Sequence, residues 1–201
     1  MQKTKKTIGI LALQGDFAKH QDMLGSLGAK TIQIRRPEQL KECDGLIIPG
    51  GESTVMSTLI DQYDLRKPIV DFAQQKPILG TCAGAILLSR NSNDPKVNPL
   101  GLMDISIQRN AYGRQIFSFS APIEIEGFLD KYEAVFIRAP QFTLPPYEAG
   151  SREIAVLATH KNKPVMVRQK NILALAFHPE LTNDARIHNS FLVMTKQNNF
   201  A

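Results

Sequence analysis

Two short stretches hold residue types that could open an amide: Gly80-Thr81-Cys82-Ala83-Gly84 and Phe177-His178-Pro179-Glu180-Leu181. The first sets one of the chain's two cysteines between glycines, where an apolar run gives way to a helical one. A nucleophile on a sharp strand-to-helix turn needs small neighbours, because the backbone there is crowded. The amides of the following helix would lower the thiol pKa and hold an oxyanion. A buried structural cysteine fits this pentapeptide equally well. The second stretch supplies a base and a group to orient it. Residues two apart in an extended chain project to one side, so His178 and Glu180 can face one cleft, with Pro179 stiffening the link.

A third element, Pro49-Gly50-Gly51-Glu52-Ser53, places two glycines at a strand end. Backbone N–H groups can approach a ligand closely there, and the amides of Gly51 and Ala83 could together form an oxyanion hole. The plainer reading is a strand-to-helix turn with Ser53 as N-cap. The other histidines, His20, His160 and His188, read as surface or packing residues. Cys43 lacks a glycine frame and precedes a strand, so it reads as structural or semi-exposed.

The elements that must position these groups follow from the apolar pattern. Strands are expected at Thr7 to Leu13, Lys30 to Ile34, Gly45 to Ile48 and Pro77 to Leu79. Helices are expected at Asp16 to Leu27, Ser53 to Tyr63, Arg66 to Gln75 and Ala83 to Ser89, with a helical turn at Glu38 to Glu42. Short apolar strands alternating with helices argue for a parallel sheet covered on both faces, with ligand sites at the strands' carboxyl ends. The second half reads as strands at Leu102 to Gln108, Gln115 to Ala121 and Ala134 to Arg138. A hairpin follows, Ile154 to Thr159 and Pro164 to Arg168 around Lys161-Asn162-Lys163. A last strand, Ile172 to Phe177, precedes a final helix, Asp184 to Lys196. A single domain over residues 1–201 accommodates all of this.

Composition narrows the class. Hydrophobic residues are 43% and charged residues 21%, which suits an ordinary globular protein. The net charge of +5 is dispersed, without the aromatic-interleaved basic stripe of a nucleic-acid binder. No apolar run approaches a membrane span, and Ile8 to Leu13 is too short for a signal-peptide core. Two cysteines without such a signal suggest reduced thiols and a cytoplasmic location.

"PGGES", "GTCAG" and "FHPEL" together resemble the class I, triad-type glutamine amidotransferases. "LALQGDFAKH", "RRPEQL", "RNAYGRQ" and "FIRAP" extend the likeness, over nearly the whole chain, to the glutaminase subunits of pyridoxal 5′-phosphate synthases. The resemblance implies a flavodoxin-like α/β three-layer sandwich with a mostly parallel central sheet. It implies hydrolysis of L-glutamine to glutamate and ammonia, which a partner synthase subunit would consume. On motif matching, Cys82 would be the nucleophile, His178 the general base and acid, and Glu180 the orienting carboxylate. Gly51, Glu52, Ser53, Arg109, Ile137 and Arg138 would bind glutamine, and Gln14 would lie near the active site and the partner interface. No metal or cofactor is implied. Two alternatives remain beside it: another Cys-His-Glu amidase of the same fold, and a non-catalytic subunit, whose signature would be loss of a triad residue.

Overall fold

The computed structural model describes residues 5–109, 118–146 and 154–197. The first half runs β1 (Thr7–Leu11), α1 (Phe17–Ser26), β2 (Lys30–Ile34), a 3₁₀ turn (Pro37–Glu42), β3 (Gly45–Ile48), α2 (Ser53–Gln62), α3 (Arg66–Ala73), β4 (Ile78–Thr81) and α4 (Ala83–Leu88). The second half runs β5 (Ser89–Ser92), β6 (Met103–Gln108), β7 (Phe119–Ile123), β8 (Tyr132–Phe136), β9 (Gln141–Thr143), β10 (Ala155–His160), β11 (Lys163–Gln169), β12 (Ile172–Leu175), a 3₁₀ turn (Pro179–Leu181) and α5 (Arg186–Met194).

A seven-stranded sheet in the order β10-β11-β12-β4-β3-β1-β2 forms the centre. Strands β2, β1, β3, β4 and β12 are parallel, and the β10–β11 hairpin closes the far side antiparallel. Every residue of β3, β4 and β12 is buried, as expected of parallel strands covered on both faces. Each large aliphatic side chain so buried contributes about 1.5–3 kcal/mol. The crossover from β1 to β2 and that from β3 to β4 run in opposite directions along the sheet. Right-handed connections therefore send α1 to one face and α2 to the other. The helix pairing agrees: α1 packs on α5, and α2 packs on α4.

The expected α/β layering is observed. Some bounds move: β4 continues through Gly80 and Thr81 because both residues stay in register with β12. Strand β5 and strand β9, neither expected, join β6 in a small second sheet, and β7 pairs with β8 in another. The expected strand from Gln115 begins outside the described residues, as do residues 110–115 of "RNAYGRQ".

Candidate functional site

Register brings the three sequence motifs together. Ile48 pairs with Gly80, and Thr81 pairs with Leu175, so β3, β4 and β12 end at one level. The residues just beyond those ends are Gly50-Gly51, Cys82 and His178. The Cys82 N–H donates to the Leu175 carbonyl, 2.8 Å, and the His178 N–H to the Val135 carbonyl of β8, 2.8 Å. Ile137 and Arg138 follow β8 directly and enter the same space.

Cys82 occupies the elbow with φ 49° and ψ −104°, a conformation an L-residue adopts only under strain. Gly80 and Gly84 leave the room it needs; a Cβ at Gly84 would stand 1.9 Å from the Ile48 carbonyl oxygen. Cys82 Sγ lies 3.8 Å from the carbonyl oxygen of Ile137. Arg138 is a second strained residue, at φ 45°.

His178 Nδ1 and Glu180 Oε1 are 2.7 Å apart. The contact forms differently from the extended reading. His178 is extended, but Pro179 starts a 3₁₀ turn that folds Glu180 back under the imidazole. Burial would lower the His178 pKa, yet the neighbouring Cys82 and Glu180 outweigh that and push it up to about 10. Burial opposes the Glu180 charge too, but His178 and then His20 hold its carboxyl below the usual range. The glycine at position 50 is dictated by this pair: a Cβ there would stand 2.5 Å from His178 Cε1 and 3.4 Å from Cys82 Cβ.

A cavity of about 730 Å³ opens onto these residues. Gly51, Glu52, Ser53, Ala83, Arg109, Ile137 and Arg138 line it together with Cys82 and His178. Glu180 is buried behind the imidazole. Gln14 sits at the back of the loop, its Oε1 accepting the Glu52 N–H. The N-cap of α2 is Glu52 rather than Ser53: its carboxylate accepts the Val55 N–H at 2.9 Å, while the buried Ser53 Oγ has no partner among the described residues. The longer side chain of Glu52 reaches the amide and also pairs with Arg109 Nη2, 2.8 Å. Arg109 pairs with Asp94 as well. Among the described residues no group of histidine, cysteine and carboxylate side chains could hold a metal ion.

The model of the SNO glutamine amidotransferase family matches residues 10–197. The chain belongs to the SNO glutamine amidotransferase family. It is 46% identical over 191 residues to the pyridoxal 5′-phosphate synthase subunit PdxT of Shouchella clausii, covering 94% of this chain and 95% of that protein. Against PdxT of Pasteurella multocida the identity is 48% over 189 residues, covering 93% and 95%. A crystal structure of a glutamine amidotransferase superposes with a TM-score of 0.87 at 40% identity, over 94% of this chain and 99% of that one. A glutamine amidotransferase of Thermotoga maritima shares the fold, with a TM-score of 0.58 at 14% identity, over 97% of this chain and 95% of that one.

Within this SNO family fold, sequence reasoning missed some cavity residues. Asp16, Ile86 and Ser118 line the space without having been expected to, and Gly15, in the Gln14-Gly15 loop expected at a strand end, lines it as well. Gly15 has a local signal: its φ of +95° suits glycine, and a Cβ there would fall 1.8 Å from the Gly50 carbonyl oxygen. His20 and His188, read as surface or packing residues, are both fully buried. His20 Nε2 reaches Glu180 Oε2 at 3.3 Å, which is more than packing.

Proposed function

We propose that Cys82, His178 and Glu180 perform the glutamine hydrolysis that this chain carries out as the glutaminase subunit of a pyridoxal 5′-phosphate synthase. The observation that carries the residue assignment is the convergence of a strained thiol elbow and a carboxylate-held imidazole on one cavity. His178, whose raised pKa favours its charged form, holds the proton given up by Cys82, and the thiolate attacks the side-chain amide carbon of glutamine. Backbone amides of Gly51 and Ala83 receive the oxyanion; losing one such donor typically costs about 10²–10³ in rate. His178 then protonates the departing ammonia. Water, deprotonated by His178, hydrolyses the γ-glutamyl thioester to glutamate and restores the thiol.

Glu180 keeps the imidazole oriented and stabilises its charged form. Glu52, Ser53 and Ile137 shape the glutamine site. Arginine suits the α-carboxylate of glutamine because its guanidinium makes paired bonds to a carboxylate. Arg109 is held by Glu52 and Asp94, which leaves Arg138 to take the larger share of that contact. Ammonia passes to the synthase subunit. Gln14, beside the loop that binds glutamine, is suited to sense that partner. The same reading treats residues 1–201 as one domain in the cytoplasm, acting without cofactor, nucleic acid or membrane. Its supports are the dispersed charge and the two free thiols, Cys43 and Cys82.

The test is ammonia release from glutamine with and without the synthase subunit, for the wild type and Cys82→Ala. Release that the synthase stimulates and Cys82→Ala abolishes is expected. A folded Cys82→Ala protein with normal turnover overturns the residue assignment, and high unstimulated activity with no response to the synthase points to an independent amidase.

A further inference from the structure

Behind the triad lies a chain of buried polar contacts that the hydrolysis described above does not use. Glu180 Oε2 faces His20 Nε2 at 3.3 Å, and His20 Nδ1 faces His188 Nε2 at 2.9 Å. His20 Nε2 also lies 3.4 Å from Thr81 Oγ1, on the residue before Cys82. The side chains of Glu180 and His20 have no exposed surface, and His188 is equally closed off. Bulk water does not reach these atoms, and two of them, Glu180 Oε2 and His188 Nδ1, have no hydrogen-bond partner among the described residues.

The hydrogens follow from the carboxylate. An ionised Glu180 only accepts, so His20 turns Nε2–H toward its otherwise unpartnered Oε2, 3.3 Å away, and shares that hydrogen with Thr81 Oγ1. The neutral ring then has a bare Nδ1, which needs a donor, and the atom facing it is His188 Nε2. His188 thus carries Nε2–H too, which leaves its buried Nδ1 without a partner among the described residues. Neutrality fits the surroundings: burial lowers the His20 pKa against the pull of Glu180 and Asp16, with His178 adding to the lowering, and burial takes His188 down to about 3.

We infer that His20 is a positioning residue: the Nε2–H edge of its ring restrains the second oxygen of Glu180 by electrostatic contact, and His188 fixes the ring of His20. Glu180 Oε1 bonds His178 and Oε2 faces the Nε2–H edge of His20, so rotation of the carboxylate away from the imidazole is opposed at both oxygens. Helix α1 and helix α5, neither of which lines the cavity, thereby bear on the aim of His178. This inference rests on the reading of Cys82, His178 and Glu180 as the triad.

The experiment compares His20→Gln, His20→Asn and His20→Leu in the glutaminase–synthase complex, with kcat, KM and thermal midpoint measured for each. Glutamine's amide nitrogen falls where Nε2 lies, whereas asparagine's falls near Nδ1. His20→Gln is expected to keep most of kcat. His20→Asn and His20→Leu are expected to lose about tenfold in kcat, the low end for one polar contact to a charged group, with KM little changed. Folded Asn and Leu variants with wild-type kcat, or a Gln variant that falls as far as they do, overturn the inference. ¹⁵N-histidine spectra of the wild type give a measurement that needs no variant to fold. Neutral Nε2–H tautomers are expected at His20 and His188, and an Nδ1–H tautomer at His20 overturns the inference. Cys82→Ala runs alongside: activity there would fault the triad itself, whatever the His20 variants do.

Discussion

Gln14 Oε1 accepts the backbone N–H of Glu52 at 2.8 Å, so the turn after β1 anchors the turn after β3. Both turns border the cavity, and the same amide oxygen stands where a Cβ at Gly51 would fall, 2.4 Å away. Gln14→Leu removes the acceptor and leaves the Glu52 amide unpaired, at a cost of about 1–3 kcal/mol. We expect kcat/KM for glutamine to fall about tenfold or more, since 1.4 kcal/mol is a factor of ten. Steady-state ammonia release measures it, and an unchanged value would detach Gln14 from the loop's function.

The strained elbow makes a prediction about stability alone. At φ 49° and ψ −104° any L-side chain at position 82 is held against its preference. Cys82→Gly and Cys82→Ala should both be inactive, yet the glycine variant should be the more stable by about 1 kcal/mol. That is the strain released less the entropy glycine loses on folding. Denaturant unfolding of the two variants checks the order, and an alanine variant more stable than glycine contradicts it.

Gly50 bears on geometry rather than strain. In Gly50→Ala the new methyl would overlap the edge of the His178 ring, 2.5 Å from Cε1. The imidazole must shift relative to Cys82, and a displacement of that order costs about 10²-fold in rate. Turnover should drop by that factor, with the far-ultraviolet circular dichroism spectrum unchanged.

The pH dependence of stability has a definite sign. The folded His178 pKa, about 10, lies above the ordinary 6.5. The charged imidazole's contribution is therefore complete below about pH 6.5 and is lost as pH rises through 10. Glu180 has the opposite sign: its pKa is depressed, so its contribution is present above the ordinary 4.5 and fades as pH falls through its folded value. The thermal midpoint should form a plateau between these limits. In His178→Gln the alkaline shoulder should flatten, and an unaltered shoulder would assign it to other groups.

Some of this site was legible in sequence because its signals are local. Strand β3 has its expected bounds because Pro49-Gly50 stops it sharply, and the glycines around Cys82 mark a turn only small residues allow. Residues two apart in "HPE" do meet, although through a 3₁₀ turn that Pro179 imposes rather than an extended chain. Other features were out of reach for physical reasons. Strand β5, Ser-Arg-Asn-Ser, has no apolar alternation, and its pairing with β6 is supplied by the rest of the fold. The His20–His188 contact spans 168 residues and exists only because α1 and α5 lie side by side on the sheet. A lone histidine in a helix carries no trace of such a neighbour.

The second cysteine has a practical consequence. Cys43 is 1% exposed, and burial pushes its thiol up to about 11, while Cys82 lines an open cavity. One sulfur is thus shielded and the other presented, so the folded chain can report its own integrity by stoichiometry. An alkylating glutamine analogue should attach once per intact molecule, and a second mass increment from a general thiol reagent should appear only after denaturation. Counting labels would then give the fraction of a preparation whose elbow is correctly built, independent of any turnover assay.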